Sequence, residues 1–458
     1  MEVNKSIFRE NDIRGIYPEQ LNEFTISKIA KAIAVKCKKE NIESISVGRD
    51  GRLSGESLLS SFCDSLIDSG INVTNIGMVT SPMLYFEAKT NKTKSGIIIT
   101  GSHNPKNHNG LKMVVNDRPV SGIEILSLIE SMESKSTSKG ELKTKDIKEK
   151  YLDEVINSIS IKNPSNYKVV IDCGNGAAGC VAPDLFKRVG CEVVELYTEV
   201  DGNFPNHHPD PSKLENLQDL IDSVISNDAD LGLAFDGDGD RVGLITNNGE
   251  NIFPDKYMMM LSENILSKQS GAIVFDVKCS NHLAELITKN HGVPVMAPTG
   301  HFHIKSSIKE NNALLGGEMS GHIFFNDKWY GFDDGPYSGA RIIEALSEHK
   351  GSKNISDIMK TYPKSFSTPE LNINVTDENK FQIIEKFIEE NELEGEKNTI
   401  DGLRVNYKNG WGLIRASNTS PKLVLRFEGN TIEDMNNIQN EFLSELSRIS
   451  PDIVINLT

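Results

Sequence analysis

Two kinds of hydrophobic patterning alternate along most of this chain. Short runs such as Ser44-Ile45-Ser46-Val47 and Gly96-Ile97-Ile98-Ile99 are rich in β-branched residues and bounded by glycine or polar residues, which predicts strands. Between them apolar residues recur at helical spacing. Leu58, Leu59, Phe62 and Leu66 precede Gly70, and Asn72-Val73-Thr74-Asn75-Ile76 is strand-like again. The alternation returns from Lys168 to Leu196, from Leu231 to Ile245 and from Ala272 to Phe325, the pattern of stacked α/β layers. The last part differs, with strand runs from Gly402 to Tyr407 and from Leu423 to Phe427 flanked by helical stretches. Polar breaks fall between Ser131 and Lys150, at Asn247-Asn248-Gly249-Glu250-Asn251, and from Thr361 to Pro369. A chain of 458 residues holds three or four domains at about 100–200 residues each. No internal repeat emerges from period counting.

Composition narrows the class. Apolar residues make up 38%, and 36 glycines add to them, as in an ordinary soluble protein. No window approaches the roughly 20 apolar residues of a membrane span, and Met1-Glu2-Val3-Asn4-Lys5-Ser6 lacks a signal-peptide core. A cytoplasmic protein with no membrane partner is the expectation. The six cysteines include no Cys-x-x-Cys pair, which argues against structural zinc and a disulfide framework. A net charge of −16 opposes nucleic-acid binding. It would also repel an anionic metabolite, so any phosphate site must be locally basic, and Arg9/Arg14, Arg49/Arg52 and Arg415 offer such places.

Four polar loops beside strand signals carry the candidate chemistry. Thr100-Gly101-Ser102-His103-Asn104-Pro105 follows the isoleucine run and precedes Asn109-Gly110-Leu111-Lys112. A hydroxyl held at a strand tip, with a lysine downstream, suits a nucleophile or phosphate carrier; an Asn-Pro turn with an idle serine is the bland alternative. Asp236-Gly237-Asp238-Gly239-Asp240-Arg241 places carboxylates at alternate positions after Leu231-Gly232-Leu233-Ala234-Phe235. On an extended backbone they point the same way, and glycines between them let the oxygens converge on one ion. Hard oxygen donors favour Mg²⁺, Mn²⁺ or Ca²⁺ over zinc. An EF-hand needs Gly sixth and Glu twelfth, where this chain has Arg241 and Asn247. Arg241 beside the triplet offers electrostatic support.

Glu318-Met319-Ser320-Gly321-His322 follows Gly316-Gly317 and suits a polyhydroxylated ligand. Arg415-Ala416-Ser417-Asn418-Thr419-Ser420-Pro421 offers a guanidinium, hydroxyls and backbone N–H groups to a phosphate. An ordinary turn is the alternative for each. Gly174-Asn175-Gly176-Ala177-Ala178-Gly179 formally meets the dinucleotide fingerprint, with Glu195 about 20 residues on. The other loops have no part in hydride transfer, so these glycines read as a tight strand-to-helix turn and NAD binding as a minor alternative. Most histidines read as hydrogen-bonding residues; His301, in the turn after Val293-Pro294-Val295-Met296, is the exception.

Taken in order, these loops resemble the α-D-phosphohexomutase superfamily, and most closely its bacterial phosphomannomutase/phosphoglucomutase branch. The resemblance covers essentially the whole chain. It begins at Phe8-Arg9, Asp12-Ile13-Arg14-Gly15 and Gly48-Arg49-Asp50-Gly51-Arg52, and runs through the four loops. Asp276-Val277-Lys278-Cys279-Ser280, Thr299-Gly300-His301 and Gly331-Phe332-Asp333-Asp334-Gly335 join it.

The resemblance implies a heart-shaped, four-domain enzyme: three similar α/β domains with mixed sheets, over 1–150, 151–250 and 251–365, then a smaller α+β domain over 366–458. Each would bring one loop to a central cleft. Ser102 would be the phosphorylated serine, and Asp236, Asp238 and Asp240 would hold Mg²⁺ together with a Ser102 phosphate oxygen. Lys112, Arg14 and His301 would serve proton transfer and charge stabilisation. Glu318, Met319, Ser320, Gly321 and His322 would read the sugar with Lys278, Thr299, Gly300 and His301. Arg415, Ala416, Ser417, Asn418 and Thr419 would bind the substrate phosphate. The implied reaction interconverts hexose 6-phosphate and hexose 1-phosphate (mannose and/or glucose) through phospho-Ser102 and a hexose 1,6-bisphosphate, which also activates. A monomer or weak homo-oligomer is expected. Phosphoglucosamine mutase is the nearest alternative, although glucosamine-specific relatives usually carry Gln where this chain has Met319. A metal-dependent sugar phosphatase and a phosphosugar-binding protein without catalysis follow. The family commonly has an aromatic residue where this chain has Asn11, which leaves the contact there open.

Overall fold

Four sheets follow one another along the chain, each built from the strand signals described above. The structure, a computed structural model, describes residues 3–131, 139–351, 354–418 and 420–457. In the first sheet Ser44–Arg49 lies parallel to Asn72–Met78 and Gly96–Ile99, while His108–Val115 runs antiparallel to Gly96–Ile99 and to Ile13–Ile16. Ile97, Ile98 and Ile99 are fully buried, as expected of a central strand covered on both faces. The helix Gly55–Asp68 buries Leu58, Leu59, Phe62 and Leu66, the stripe its spacing predicts. From the polar break after Ser131, Leu142–Thr144 adds an exposed edge strand to this sheet.

The second sheet pairs Lys168–Asp172 in parallel with Glu192–Leu196 and Leu231–Phe235, and Leu231–Phe235 antiparallel with Val242–Thr246. The third pairs Ala272–Asp276 in parallel with Val293–Ala297 and Leu315–Gly317, and Leu315–Gly317 antiparallel with Ile323–Phe325. The fourth is antiparallel throughout, with Lys422–Gly429 between Gly410–Ala416 and the strands Phe366–Ser367 and Leu371–Asn374. Against it lies the helix Ile432–Ile449, opened by a capping box of Thr431 and Asp434. Three mixed α/β units and a final α+β unit are therefore the architecture.

A repeat hidden from the sequence emerges here. In each of the first three sheets a parallel strand is followed by a loop and an antiparallel partner, and Gly410–Ala416 and Lys422–Gly429 form the fourth such hairpin. The four hairpin connections are the four polar loops. What recurs is a topology with connections of different length, so no fixed sequence period records it.

The glycine run at Gly174 is a turn rather than a cofactor cradle. Ala177 N donates to Gly237 O at 2.9 Å, and a Cβ at Gly176 would lie 3.0 Å from Gly237. The loop is spent on supporting its neighbour. One apolar core runs without a break from the helix Ser81–Thr90 through the second and third units, whereas the C-terminal unit has its own core around Leu425, Phe427 and Phe442. Val277 with Trp411 and Leu413 forms a small bridge between them, where Arg404 stacks on Trp411 at 3.8 Å and donates to Val277 O and Cys279 O. Among the described residues no helix is long and apolar enough to cross a membrane.

Candidate active site

Ser102 leaves the strand Gly96–Ile99 with φ 48°, a left-handed conformation that a non-glycine residue adopts only when its surroundings enforce it. Ser102 N donates to Thr100 Oγ1 at 2.8 Å, and Thr100 Oγ1 donates to the buried Asp50 at 2.7 Å. Arg52, also buried, donates to the carbonyls of Ser102, Asn104, Pro105 and His108. Five donors on a planar fork can bind a whole loop in this way. Arg14, paired with Asp12, donates to Gly101 O. The Ser102 hydroxyl is thus presented by a rigid loop, 3.2 Å from both Asp236 Oδ2 and His103 Nδ1. Burial, with Arg241 and Arg14 adding to it, pushes the His103 imidazole well below its usual range. A neutral ring leaves Nδ1 free to accept a hydrogen bond from the Ser102 hydroxyl.

The carboxylate loop reaches Ser102 because Gly237 has no side chain: a Cβ there would sit 2.4 Å from Ser102 O. Asp236, Asp238 and Asp240 are fully buried and bring one oxygen each to within 4.8 Å of the others. Lys112 Nζ inserts between Asp238 Oδ2 (2.7 Å) and Asp240 Oδ2, and Ser81 Oγ donates to Asp238 Oδ2 at 2.5 Å. Asp236 Oδ1 accepts from the backbone N of Asp240 and of Arg241. Asp238 Oδ1 is buried without a hydrogen-bond partner. Burial, then the charges of Asp240 and Asp238, raises the Asp236 carboxyl well above its usual range. Burial works against the Lys112 charge, but Asp238 and Asp240 outweigh it and hold its pKa well above the ordinary lysine value. An all-oxygen donor set of this kind, crowded with negative charge and with Asp238 Oδ1 and Asp240 Oδ1 both buried without a hydrogen-bond partner, fits a hard divalent cation.

The Glu318–His322 loop is tied to the carboxylate loop. Val242 N donates to Gly321 O at 3.1 Å. His322 Nδ1 lies 2.9 Å from Glu318 Oε2 and 2.9 Å from Ser320 Oγ, and Nε2 lies 3.3 Å from Asp240 Oδ1. Burial opposes a charge on His322, but Asp240 outweighs it and lifts the imidazole to about 9. His301 is the opposite case: burial, with Lys305 and Lys112, holds it well below the usual range. Gly300 N donates to Glu318 Oε1 at 2.7 Å. Lys278 Nζ lies 3.0 Å from Glu370 Oε2.

In the fourth loop Arg415 Nε donates to Asp401 Oδ2 at 2.8 Å, while Nη2 is buried without a partner. Ala416 ends its strand with its side chain in the C-terminal core, so it could meet a ligand only through its backbone. Thr419 lies outside the described residues.

One cavity of about 670 Å³ joins these loops. Arg14, Ser102, Lys112, Lys278, His301, Arg415, Ser417 and Asn418 line it, as do Thr299, Gly300, Arg241 and the stretch from Glu318 to His322. The three aspartates lie buried beneath Lys112. Arg9, Lys213, Lys422 and Arg426 add positive charge to the walls, against a chain whose net charge is −16. The expectation of a locally basic site in an acidic protein is thereby met. Three contributors have no distinct sequence signal. His103 stands out only as the residue after Ser102. Asp333, fully buried and 2.7 Å from Lys305 Nζ, belongs to the Gly331–Gly335 motif with no role of its own marked there. Asp401 carries no local signal at all.

Family models described as phosphoglucomutase/phosphomannomutase alpha/beta/alpha domains I, II and III match residues 5–138, 149–249 and 253–366, and the C-terminal domain of the same family matches 370–445. The chain is 48% identical to a phosphomannomutase/phosphoglucomutase of Pseudomonas syringae pv. tomato, over 98% of this chain and 96% of that one. It is 47% identical to a phosphoglucomutase of Neisseria gonorrhoeae, over 96% of each. A crystal structure of a phosphoglucomutase/phosphomannomutase family protein from Burkholderia thailandensis matches with a TM-score of 0.93 and 40% identity, covering 100% of both chains.

Proposed function

The chain belongs to the phosphoglucomutase/phosphomannomutase family, the hexose phosphate mutases, and from that premise we propose that phospho-Ser102 carries the transferred group between the 6- and 1-positions of glucose or mannose phosphates. The observation that carries this reading is the convergence of Ser102, the carboxylate triplet and the Arg415 loop on one basic cavity.

Phosphoryl transfer is mostly positioning and charge neutralisation, and each loop has a share of it. The Arg415 loop holds the phosphate that is not being transferred, through a guanidinium and the hydroxyl and amide groups of Ser417 and Asn418. Glu318 and Ser320 accept and donate hydrogen bonds to sugar hydroxyls, with Lys278 beside them. The free sugar hydroxyl attacks the phosphorus of phospho-Ser102. Its new O–P bond forms as the Ser102 Oγ–P bond breaks, the hydroxyl proton passes to a neutral imidazole, for which His301 is suited, and Lys112 and Arg14 offset the charge near Ser102. The resulting 1,6-bisphosphate turns over within the cavity, and Ser102 Oγ forms its new bond to the other phosphorus as that phosphorus parts from its sugar oxygen, which takes back the proton held by the imidazole. A divalent cation such as Mg²⁺, held by Asp236, Asp238 and Asp240 beside Ser102, would supply further neutralisation of the phosphoryl group.

Incubation with hexose 1,6-bisphosphate should place one phosphate on Ser102, read by intact mass and peptide mapping. Ser102→Ala should lose turnover while keeping its fold. Full activity in that variant would overturn the reading. Comparing rates on glucose, mannose and glucosamine 1-phosphates ranks the sugars, and Met319 leads us to expect glucose and mannose ahead of glucosamine.

A further inference from the structure

Asp401 belongs to none of the four loops, yet it touches one of them, the Arg415 loop, and also the turn Thr299-Gly300-His301. It precedes the strand Leu403–Tyr407, and its Oδ2 accepts both from Arg415 Nε at 2.8 Å and from the backbone N of Thr299 at 2.9 Å. A single carboxylate oxygen therefore joins the Arg415 loop of the C-terminal unit to the Thr299–His301 turn of the third. Its own placement is tight. Gly402 next to it has φ 75°, and a Cβ there would lie 2.7 Å from Arg415 Cα.

Both contacts bear on the cavity. Arg415 is nearly buried, its Nε edge is taken by Asp401, and Nη2 is left buried without a partner. With one edge pinned, the guanidinium has one orientation before any ligand arrives, and the free edge is what an anion meets. On the other side, Thr299 is followed by Gly300, at φ 132° with its N–H on Glu318, and by His301, which opens the helix His301–Asn311. A pull on Thr299 N acts two residues away on the imidazole.

We propose that Asp401 is a positioning residue that couples capture of the anchored phosphate to the setting of the Thr299–His301 loop. The inference rests on the reading of Arg415 as a phosphate anchor. An anion at the Arg415 loop and a sugar ring at Thr299–His301 are then felt by the same carboxylate, so filling one site restrains the other.

The test uses the full-length enzyme and a KM-against-kcat comparison of Asp401→Ala, Asp401→Asn, Arg415→Ala and the double variant, with thermal midpoints recorded for each. Asp401→Ala should raise KM for glucose 1-phosphate by about tenfold, the effect of weakening one charge-assisted contact, and should also lower kcat. Asp401→Asn, which keeps an oxygen acceptor for Thr299 N, should recover kcat more than KM. In the Arg415→Ala background Asp401→Ala should leave KM unchanged and still lower kcat. Wild-type KM and kcat in Asp401→Ala would overturn the proposal, as would a KM effect that adds in full to that of Arg415→Ala. If Asp401→Ala fails to fold, the isosteric Asp401→Asn decides by its KM alone. A normal KM in Arg415→Ala would defeat the anchor reading itself, whereas a raised KM there with none in the Asp401 variants would defeat only the coupling.

Discussion

A serine hydroxyl is a weak nucleophile on its own, and what sets Ser102 apart is the neighbours that its fixed backbone forces on it. Asp236, His103 and the buried fork of Arg52 all meet within that one loop. Asp238 shows the same dependence. One oxygen takes Ser81 and Lys112, and the other is left without a partner, so loss of its charge should be felt at the cation rather than in the fold. Thorough chelation with EDTA should abolish turnover and Mg²⁺ should restore it. Asp238→Asn should need more Mg²⁺ for half-maximal rate, as measured by titration of activity. Activity that survives chelation would remove the cation from the mechanism. These residues were legible in the sequence because each role demands a particular residue type: alternating carboxylates for an ion, a hydroxyl at a strand end, a guanidinium among hydroxyls. Lys112 was legible as a lysine downstream of Ser102 and, through the family resemblance, as a candidate for proton transfer and charge stabilisation. That it would slot between Asp238 and Asp240, 126 and 128 positions away, depends on sheet topology. Asp401 is invisible for the same reason: acting through a backbone amide of another domain needs no motif.

Among elements, the hairpin is the unit that repeats, although the sequence displays only its separate loops. The strand on each side was recoverable from its β-branched run, because burial on both faces leaves a continuous apolar stretch. The antiparallel return that turns each loop toward a common centre was not, since pairing direction has no residue signature. The short contact between two such connections gives a sharp expectation. Gly237→Ala would place a methyl group 2.4 Å from Ser102 O, forcing the carboxylate loop away from the serine loop. Turnover should fall steeply while the far-ultraviolet spectrum stays that of the wild type; an active Gly237→Ala would mean the two loops need not meet. The long connection after Glu192–Leu196 offers a pH-linked counterpart. His207 Nε2 lies 3.1 Å from the buried Asp172. Burial alone would lower the imidazole pKa, but Asp172 outweighs it and raises it above 6.5. The folded state then binds the proton more tightly than the unfolded chain. The stabilisation is complete below pH 6.5 and lost as pH rises through the elevated folded value. His207→Gln should therefore be more destabilised relative to wild type near pH 6 than near pH 8.5, as read from urea midpoints. Equal deficits at both pH values would show that the ring is uncharged in the fold.

At the scale of the whole molecule, the first three units share apolar interior, while the C-terminal unit is joined to them by Val277, Trp411 and Leu413 and by polar contacts such as Asp401 to Thr299. A unit with its own core and a narrow apolar bridge is the one expected to move as a body, and it carries Arg415. Substrate phosphate held there would draw it toward the serine loop. In the proposed reaction water would compete with the sugar hydroxyl for phospho-Ser102, so a mutase would benefit from a cavity that shuts around the bisphosphate during its turn. Two rates then become diagnostic in the full-length enzyme: isomer formation and release of inorganic phosphate. Glucose 1,6-bisphosphate should activate the enzyme, and phosphate release should stay far slower than isomerisation. If phosphate at Arg415 draws the C-terminal unit inward, Arg415→Ala should lower isomerisation while phosphate release per turnover rises. The ratio of the two, measured on one sample by coupled assay, reads closure without requiring a structure of the closed state. A ratio unchanged by Arg415→Ala, with isomerisation reduced, would mean that Arg415 binds substrate without helping to exclude water. The barrier to hydrolysis would then have to lie in the first three units alone, around Ser102 and its clamp of Arg52 and Arg14.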